Sequence, residues 1–312
     1  MYIFPQSYKL FPLSQNLWSQ LFDFYPPLLH ISRFFRNIVT TNHNRTMTEK
    51  FIMAGQTPMH VADTERGEKC VVLLHGYLES MLVWDEFVDM LKGSLRVVTI
   101  DLPGHGVSMV NGEVHTMEYL ADCVGLTMKA LGIERYSVVG HSMGGYVALA
   151  MMDNYASNLE NIILLSSTTS ADSEEKCDRR RREIELIKVG KKNTLARLVP
   201  HAGFAPQNVK RLKDYIEDIS ELILITEDEG VIAILGGMIE RKSRGEQLRD
   251  SGIPHLFIFG KHDYYIPNEM AEEMIAADSN ARVVWLEESG HMGFYEEPER
   301  CAEAIKSMIL GA

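Results

Sequence analysis

The chain has 312 residues and a formal net charge of −12, from 31 Lys and Arg against 43 Asp and Glu, with 46% hydrophobic and 24% charged residues. That balance suits one large globular domain with an insertion, and it excludes a disordered chain or a disulfide-stapled miniprotein. A surface this acidic repels phosphate backbones and anionic headgroups, so neither nucleic-acid binding nor stable membrane insertion is expected.

Residues 1–46 differ from the rest: they hold ten of the 27 aromatic residues and carry a net +3. Pro5, Pro12, Pro26 and Pro27 interrupt any helix there. The longest uncharged run, 10–22, is 13 residues, against the roughly 20 apolar residues that a spanning helix needs. The expectation is a poorly ordered leader ahead of a functional chain beginning near Met47 or Met53; an interfacial anchor built on the aromatics, Arg33 and Arg36 is the alternative.

From residue 47 the pattern alternates. Short apolar runs at 51–53, 59–62, 70–74, 95–100, 136–139, 161–165, 255–259 and 281–286 read as strands. Helical stretches at 81–91, 117–131, 143–155, 268–277 and 297–310 fall between them. The fold class is therefore α/β, a doubly wound, mostly parallel sheet over residues 47–312. Almost 90 residues separate the strands at 161–165 and 255–259. That interval favours helices at 174–188, 193–199, 208–217, 219–227 and 231–238, and reads as an inserted helical cap of about 169–248.

Candidate chemistry sits at strand ends. Gly140-His141-Ser142-Met143-Gly144 is a G-x-S-x-G sequence between a strand and a helix, where small residues let the chain turn sharply and present a hydroxyl. A serine hydroxyl needs a base. His291, after the strand at 281–286, is the candidate, with Asp263, after the strand at 255–259, to orient it. Asp172 is the alternative acid. His262 reads as a loop residue, and Asp101 and His105 as turn-builders. The backbone N–H groups of Met143 and Tyr77 are the candidate oxyanion donors. Trp84, His141, Met238 and Tyr264 are candidate pocket residues, whereas Arg179–Arg182 read as a solvated helix face. Cys70, Cys123, Cys177 and Cys301 form no C-x-x-C or metal-like pattern, so free thiols, a cytoplasmic location and no metal site are expected.

The blocks V-V-L-L-H-G-Y-L-E-S with Trp84, D-L-P-G-H-G (101–106), V-V-G-H-S-M-G-G (138–145), F-G-K-H-D (259–263) and S-G-H (289–291) resemble the α/β-hydrolase family over about residues 51–310. The resemblance implies an eight-stranded sheet with a helical cap and a Ser142–His291–Asp263 triad. With Ser rather than Asp as nucleophile, it argues against the haloalkane dehalogenase and epoxide hydrolase branches. The expected activity is hydrolysis of a small acyl substrate, a carboxylic ester, through an acyl-enzyme and without a metal or organic cofactor. A C–C bond hydrolase or a lyase of menaquinone synthesis is the alternative. The H-G-Y-L-E-S segment is similar to that lyase's opening motif, and under that alternative Arg179–Arg182 would meet an anionic substrate, but Tyr146 stands where the lyase pattern carries an Arg. A silent ligand-binding protein is a third reading, although every catalytic position holds a competent residue.

Overall fold

The longest uninterrupted apolar runs form the centre of the sheet, because strands covered on both sides have no polar face to show. The computed structural model describes residues 47–311; the expected leader, 1–46, lies outside them. Strands β3 (Cys70–Leu74), β5 (Tyr136–His141) and β7 (His255–Gly260) are buried at every residue. With β4 (Arg96–Ile100), β6 (Leu159–Leu165) and β8 (Arg282–Leu286) they pair in parallel. An antiparallel hairpin, β1 (Thr48–Ala54) and β2 (Thr57–Asp63), joins through β4. The sheet thus has eight strands among the described residues, in the order β1-β2-β4-β3-β5-β6-β7-β8.

Helices flank the sheet: α1 (Asp85–Leu91), α2 (Met117–Ala130), α3 (Met143–Ala150), α4 (Met152–Tyr155), and beyond the insertion α10 (Asn268–Ala277), α11 (Gly293–Glu296) and α12 (Pro298–Leu310). The helix expected over 81–91 begins instead as a 3₁₀ turn, Met81–Trp84, whose N-terminus is capped by the Ser80 side chain.

The insertion between β6 and β7 contains α5 (Glu174–Lys188), α6 (Lys192–Gly203), α7 (Lys213–Ile225), α8 (Asp228–Glu240) and α9 (Gly245–Asp250). Two of the helices expected there, 208–217 and 219–227, are one. No Gly or Pro separates them, and Ile216, Ile219 and Ile223 form one buried stripe along α7. Helix α6 runs past the expected end at Val199 and includes Pro200. Helix α8 seats the insertion on the loops after β4: a Cβ at Gly230 would lie 2.3 Å from Gly104 O, and one at Gly237 would lie 1.7 Å from His115 O. Among the described residues no helix is long and apolar enough to cross a membrane.

Candidate active site

Ser142 sits where β5 turns into α3, at φ +50° and ψ −114°, a strained conformation for a residue with a side chain. The surroundings hold it there. Its N–H donates to Leu165 O (3.0 Å), and its carbonyl accepts from Ser167 Oγ (2.7 Å) and Gly145 N–H (3.0 Å). Glycine is required on both sides: a Cβ at Gly140 would lie 2.4 Å from the Gly144 carbonyl, and one at Gly144 would lie 2.3 Å from Leu74 O. Met143 opens α3, so its N–H lies in the first turn, which has no intrahelical acceptor to meet.

His291 and Asp263 meet. The Nδ1 of His291 lies 2.8 Å and 3.0 Å from the two Asp263 carboxylate oxygens, which fixes Nδ1 as the protonated nitrogen toward the acid. Asp263 is itself held by the N–H groups of Tyr265 (2.8 Å) and Ile266 (3.0 Å). Ser142 and His291 line the same cavity of about 480 Å³, with no direct hydrogen bond between their side chains among the described residues. His262, next to the acid, is exposed and donates its backbone N–H to Ser289 O.

Tyr77 also lines this cavity, in the loop after β3. That loop is tied down by a neutral histidine. Leu102 N–H donates to His75 Nε2 (3.0 Å), so Nδ1 carries the proton and donates to Gly76 O (2.8 Å). Burial holds the His75 imidazole below its usual range. Asp101 is a turn-builder, accepting from the N–H groups of Met81 and Val107.

Of the four expected pocket residues, Met238 and Tyr264 line the cavity, whereas Trp84 and His141 do not. Trp84 is fully buried, with its ring centroid 4.4 Å from that of Phe294. His141 is buried behind the loop of His291, where it pairs with Glu79. Asp172, the alternative acid, is bound instead by Arg180 Nε (2.5 Å) and Arg241 Nη1 (2.6 Å). The solvated-face reading of Arg179–Arg182 holds for Arg181 and Arg182 and needs correcting for Arg180, which is drawn into the cavity wall; Arg179 is exposed and also borders the cavity.

Two supporting carboxylates are not singled out by the sequence as site residues: Glu79 lies inside the H-G-Y-L-E-S block, and Glu296 lies in no motif. Glu79 accepts from Gly76 N–H (2.7 Å) and His141 Nδ1 (3.1 Å). Glu296 accepts from the N–H groups of Ala205 (2.8 Å), Gly290 (2.8 Å) and Met292 (3.3 Å), and from Asn208 Nδ2 (2.8 Å). It therefore clamps the insertion to the His291 loop, where His291 N–H also donates to Gly203 O (2.7 Å). Burial pushes the Glu296 carboxyl up, against these donors, which favour its charged form. Among the described residues no group of three His, Cys, Asp or Glu side chains could hold a metal.

A mostly parallel sheet with a strained serine between strand and helix, and a His–Asp pair beyond the neighbouring strands, is the scaffold of a hydrolase. The chain belongs to the alpha/beta hydrolase family, whose model matches residues 71–304. Among solved structures it is similar to a thermophilic esterase from Thermogutta terrifontis (malate bound), at 29% identity and a TM-score of 0.78, covering 85% of this chain and 98% of that one. It is 25% identical over 300 residues to a 2-hydroxy-6-oxononadienedioate/2-hydroxy-6-oxononatrienedioate hydrolase of Paraburkholderia phymatum, covering 86% of this chain and 98% of the relative. It is also 29% identical over 259 residues to the dihydrolipoyllysine-residue acetyltransferase component of the acetoin cleaving system of Cupriavidus necator. That match covers 78% of this chain and 64% of the relative, so the chain spans less than two thirds of that protein's length.

Proposed function

We propose that this hydrolase cleaves a carboxylic ester or related acyl bond through an acyl-enzyme on Ser142. His291 takes the Ser142 proton as the hydroxyl attacks the carbonyl carbon, then gives it to the departing alcohol. It next deprotonates a water that attacks the acyl-enzyme, releasing the acid and restoring the serine. Asp263 keeps His291 Nδ1 protonated, so Nε2 is free to act as the base. The N–H groups of Met143 and Tyr77 receive the oxyanion; losing one such donor typically costs about 10²–10³ in rate. No step needs a metal or organic cofactor.

The observation that carries this reading is the His291–Asp263 bond beside a cavity that also holds a strained, glycine-cradled serine. A fluorophosphonate probe tests it. Wild type should be labelled and Ser142→Ala should not; folded wild type that stays unlabelled would favour a silent binder.

One comparison favours a second reading. The Paraburkholderia relative is named as a hydrolase of a 2-hydroxy-6-oxo dioate, a skeleton without an ester, so its water must cleave carbon from carbon. Turnover of such a dioate in preference to any ester would replace the first reading with this one.

A further inference from the structure

The cavity wall supplied by α5 is charged, although the chain as a whole is strongly acidic. Lys176, Arg179, Arg180 and Glu183 all line the cavity. They fall at i, i+3, i+4 and i+7, so two turns of the helix turn one face inward. At about 1.5 Å per residue, Lys176 lies about 10 Å along the axis from Glu183. Glu183 marks the catalytic end, because it accepts a hydrogen bond from Tyr77 Oη (3.3 Å) in the loop after β3.

The charges on this wall do not cancel. Behind it, Asp172 serves both Arg180 and Arg241, and Arg241 also lies 4.0 Å over the Tyr146 ring. Glu183 is the second carboxylate, and burial pushes its carboxyl up. Lys176 is half-buried, with no ion pair or hydrogen bond to its ammonium among the described residues; burial, helped by the guanidiniums nearby and opposed by the Asp172 carboxylate, holds it below its usual range. The closest carboxylate to Arg179 is Glu175, at 3.9 Å. Counting Arg241 behind the wall, four cations meet three carboxylates, Asp172, Glu183 and the exposed Glu175, so one positive charge is left over. Elsewhere the lining includes apolar side chains, among them Val199, Ile219, Ile223 and Met270. A carbon chain fits these side chains, and only an added anion balances the charged wall.

We infer that the ligand of this cavity is an acyl compound bearing a carboxylate some distance from the scissile carbonyl, with Lys176 and Arg179 binding that carboxylate and Arg180, braced by Asp172, supporting them. The assignment rests on the hydrolase reading only for the scissile carbonyl.

Binding to Ser142→Ala tests it without turnover. Monomethyl adipate and dimethyl adipate differ in one charge, and calorimetry on each should give the half ester about ten- to hundredfold tighter binding. Adding Lys176→Met and Arg179→Met should cut that ratio at least tenfold. Both side chains are free of buried pairs, and an unchanged melting temperature confirms the fold. Equal affinities, or a ratio that the two substitutions leave intact, overturn the assignment. Turnover of methyl esters by wild type separates the two readings. If both adipate esters are cleaved without regard to charge, the anion site falls and the hydrolase stands. If the half ester binds selectively but no ester is cleaved, the anion site stands and the hydrolase reading falls.

Discussion

Glu79 and His141 form a buried ion pair directly behind the loop that carries His291. His141 Nε2 lies 3.1 Å from His291 O, a carbonyl that can only accept, so Nε2 is protonated. Its Nδ1 faces the Glu79 carboxylate at 3.1 Å and donates as well. Burial opposes the charge on each group, yet the partner wins: the His141 imidazole is raised and the Glu79 carboxyl lowered. Because Glu79 also accepts from Gly76 N–H, one carboxylate links the loop of Tyr77 to the loop of His291.

Glu79→Gln should therefore leave a charged imidazole without its counter-ion and destabilise the fold by roughly 3–5 kcal/mol. Urea denaturation at neutral pH measures this. Glu79→Gln combined with His141→Phe should recover part of the loss, since the orphaned charge is gone; a purely additive double variant would rule the coupling out. The pair's contribution is bounded on both sides. The lowered Glu79 carboxyl supports the fold above its unfolded value, and that support is lost as pH falls through its folded one. The raised His141 supports it below about 6.5, losing that support as pH rises through its folded value.

His60 sets an alkaline limit elsewhere in the sheet. Burial alone would lower it, but hydrogen bonding to Asp101 at 2.8 Å, with Glu49 nearby, raises it to about 9. A raised imidazole stabilises fully below its unfolded value of about 6.5, and the stabilisation disappears as pH climbs to about 9. Stability should fall across that interval by up to about 3 kcal/mol. In His60→Gln the decline should flatten; urea midpoints at about pH 6 and about pH 9.5 compare the two proteins.

Ser142 is held at φ +50°, so Ser142→Gly should relieve strain and raise stability by about 1–3 kcal/mol while abolishing probe labelling. Gly144→Ala should do the opposite, because its methyl group has Leu74 O at 2.3 Å and no side chain that can yield. Thermal unfolding of both variants tests the elbow; a stable Gly144→Ala protein would contradict the packing described.

Glu296→Gln should weaken the hold of the insertion on the His291 loop. The amide would turn an N–H group toward either Ala205 and Asn208 or Gly290 and Met292, all of which donate. A cost of about 1–3 kcal/mol is expected. Faster hydrogen exchange should appear at Ala205 and His291 and not in β3, a pattern that uniform destabilisation would not produce.

The elements were legible wherever periodicity or length spoke for itself. Cys70–Leu74 and His255–Gly260 are apolar without alternation, which only a doubly covered strand requires. The turn at Gly140–Gly144 announces itself by small residues around a serine, and the insertion by a gap too long for a loop. Local pattern also located Asp263 and His291 at the ends of successive strands. It could not say which groups touch. Trp84, in the first motif block, and Met238, in the insertion, are both buried apolar residues, yet only Met238 lines the cavity. Arg179 and Arg181 differ only in which way one helix is turned, and that rotation depends on contacts between α5 and α8 far apart in the chain. Glu296 looks like any other acidic residue among 43 Asp and Glu, and Glu79, although inside the H-G-Y-L-E-S block, shows no partner in the sequence. Hydrophobic period is a property of neighbours along the chain and survives in the sequence. Pairing of charges inside a cavity is a property of neighbours across it, and only the folded arrangement decides that.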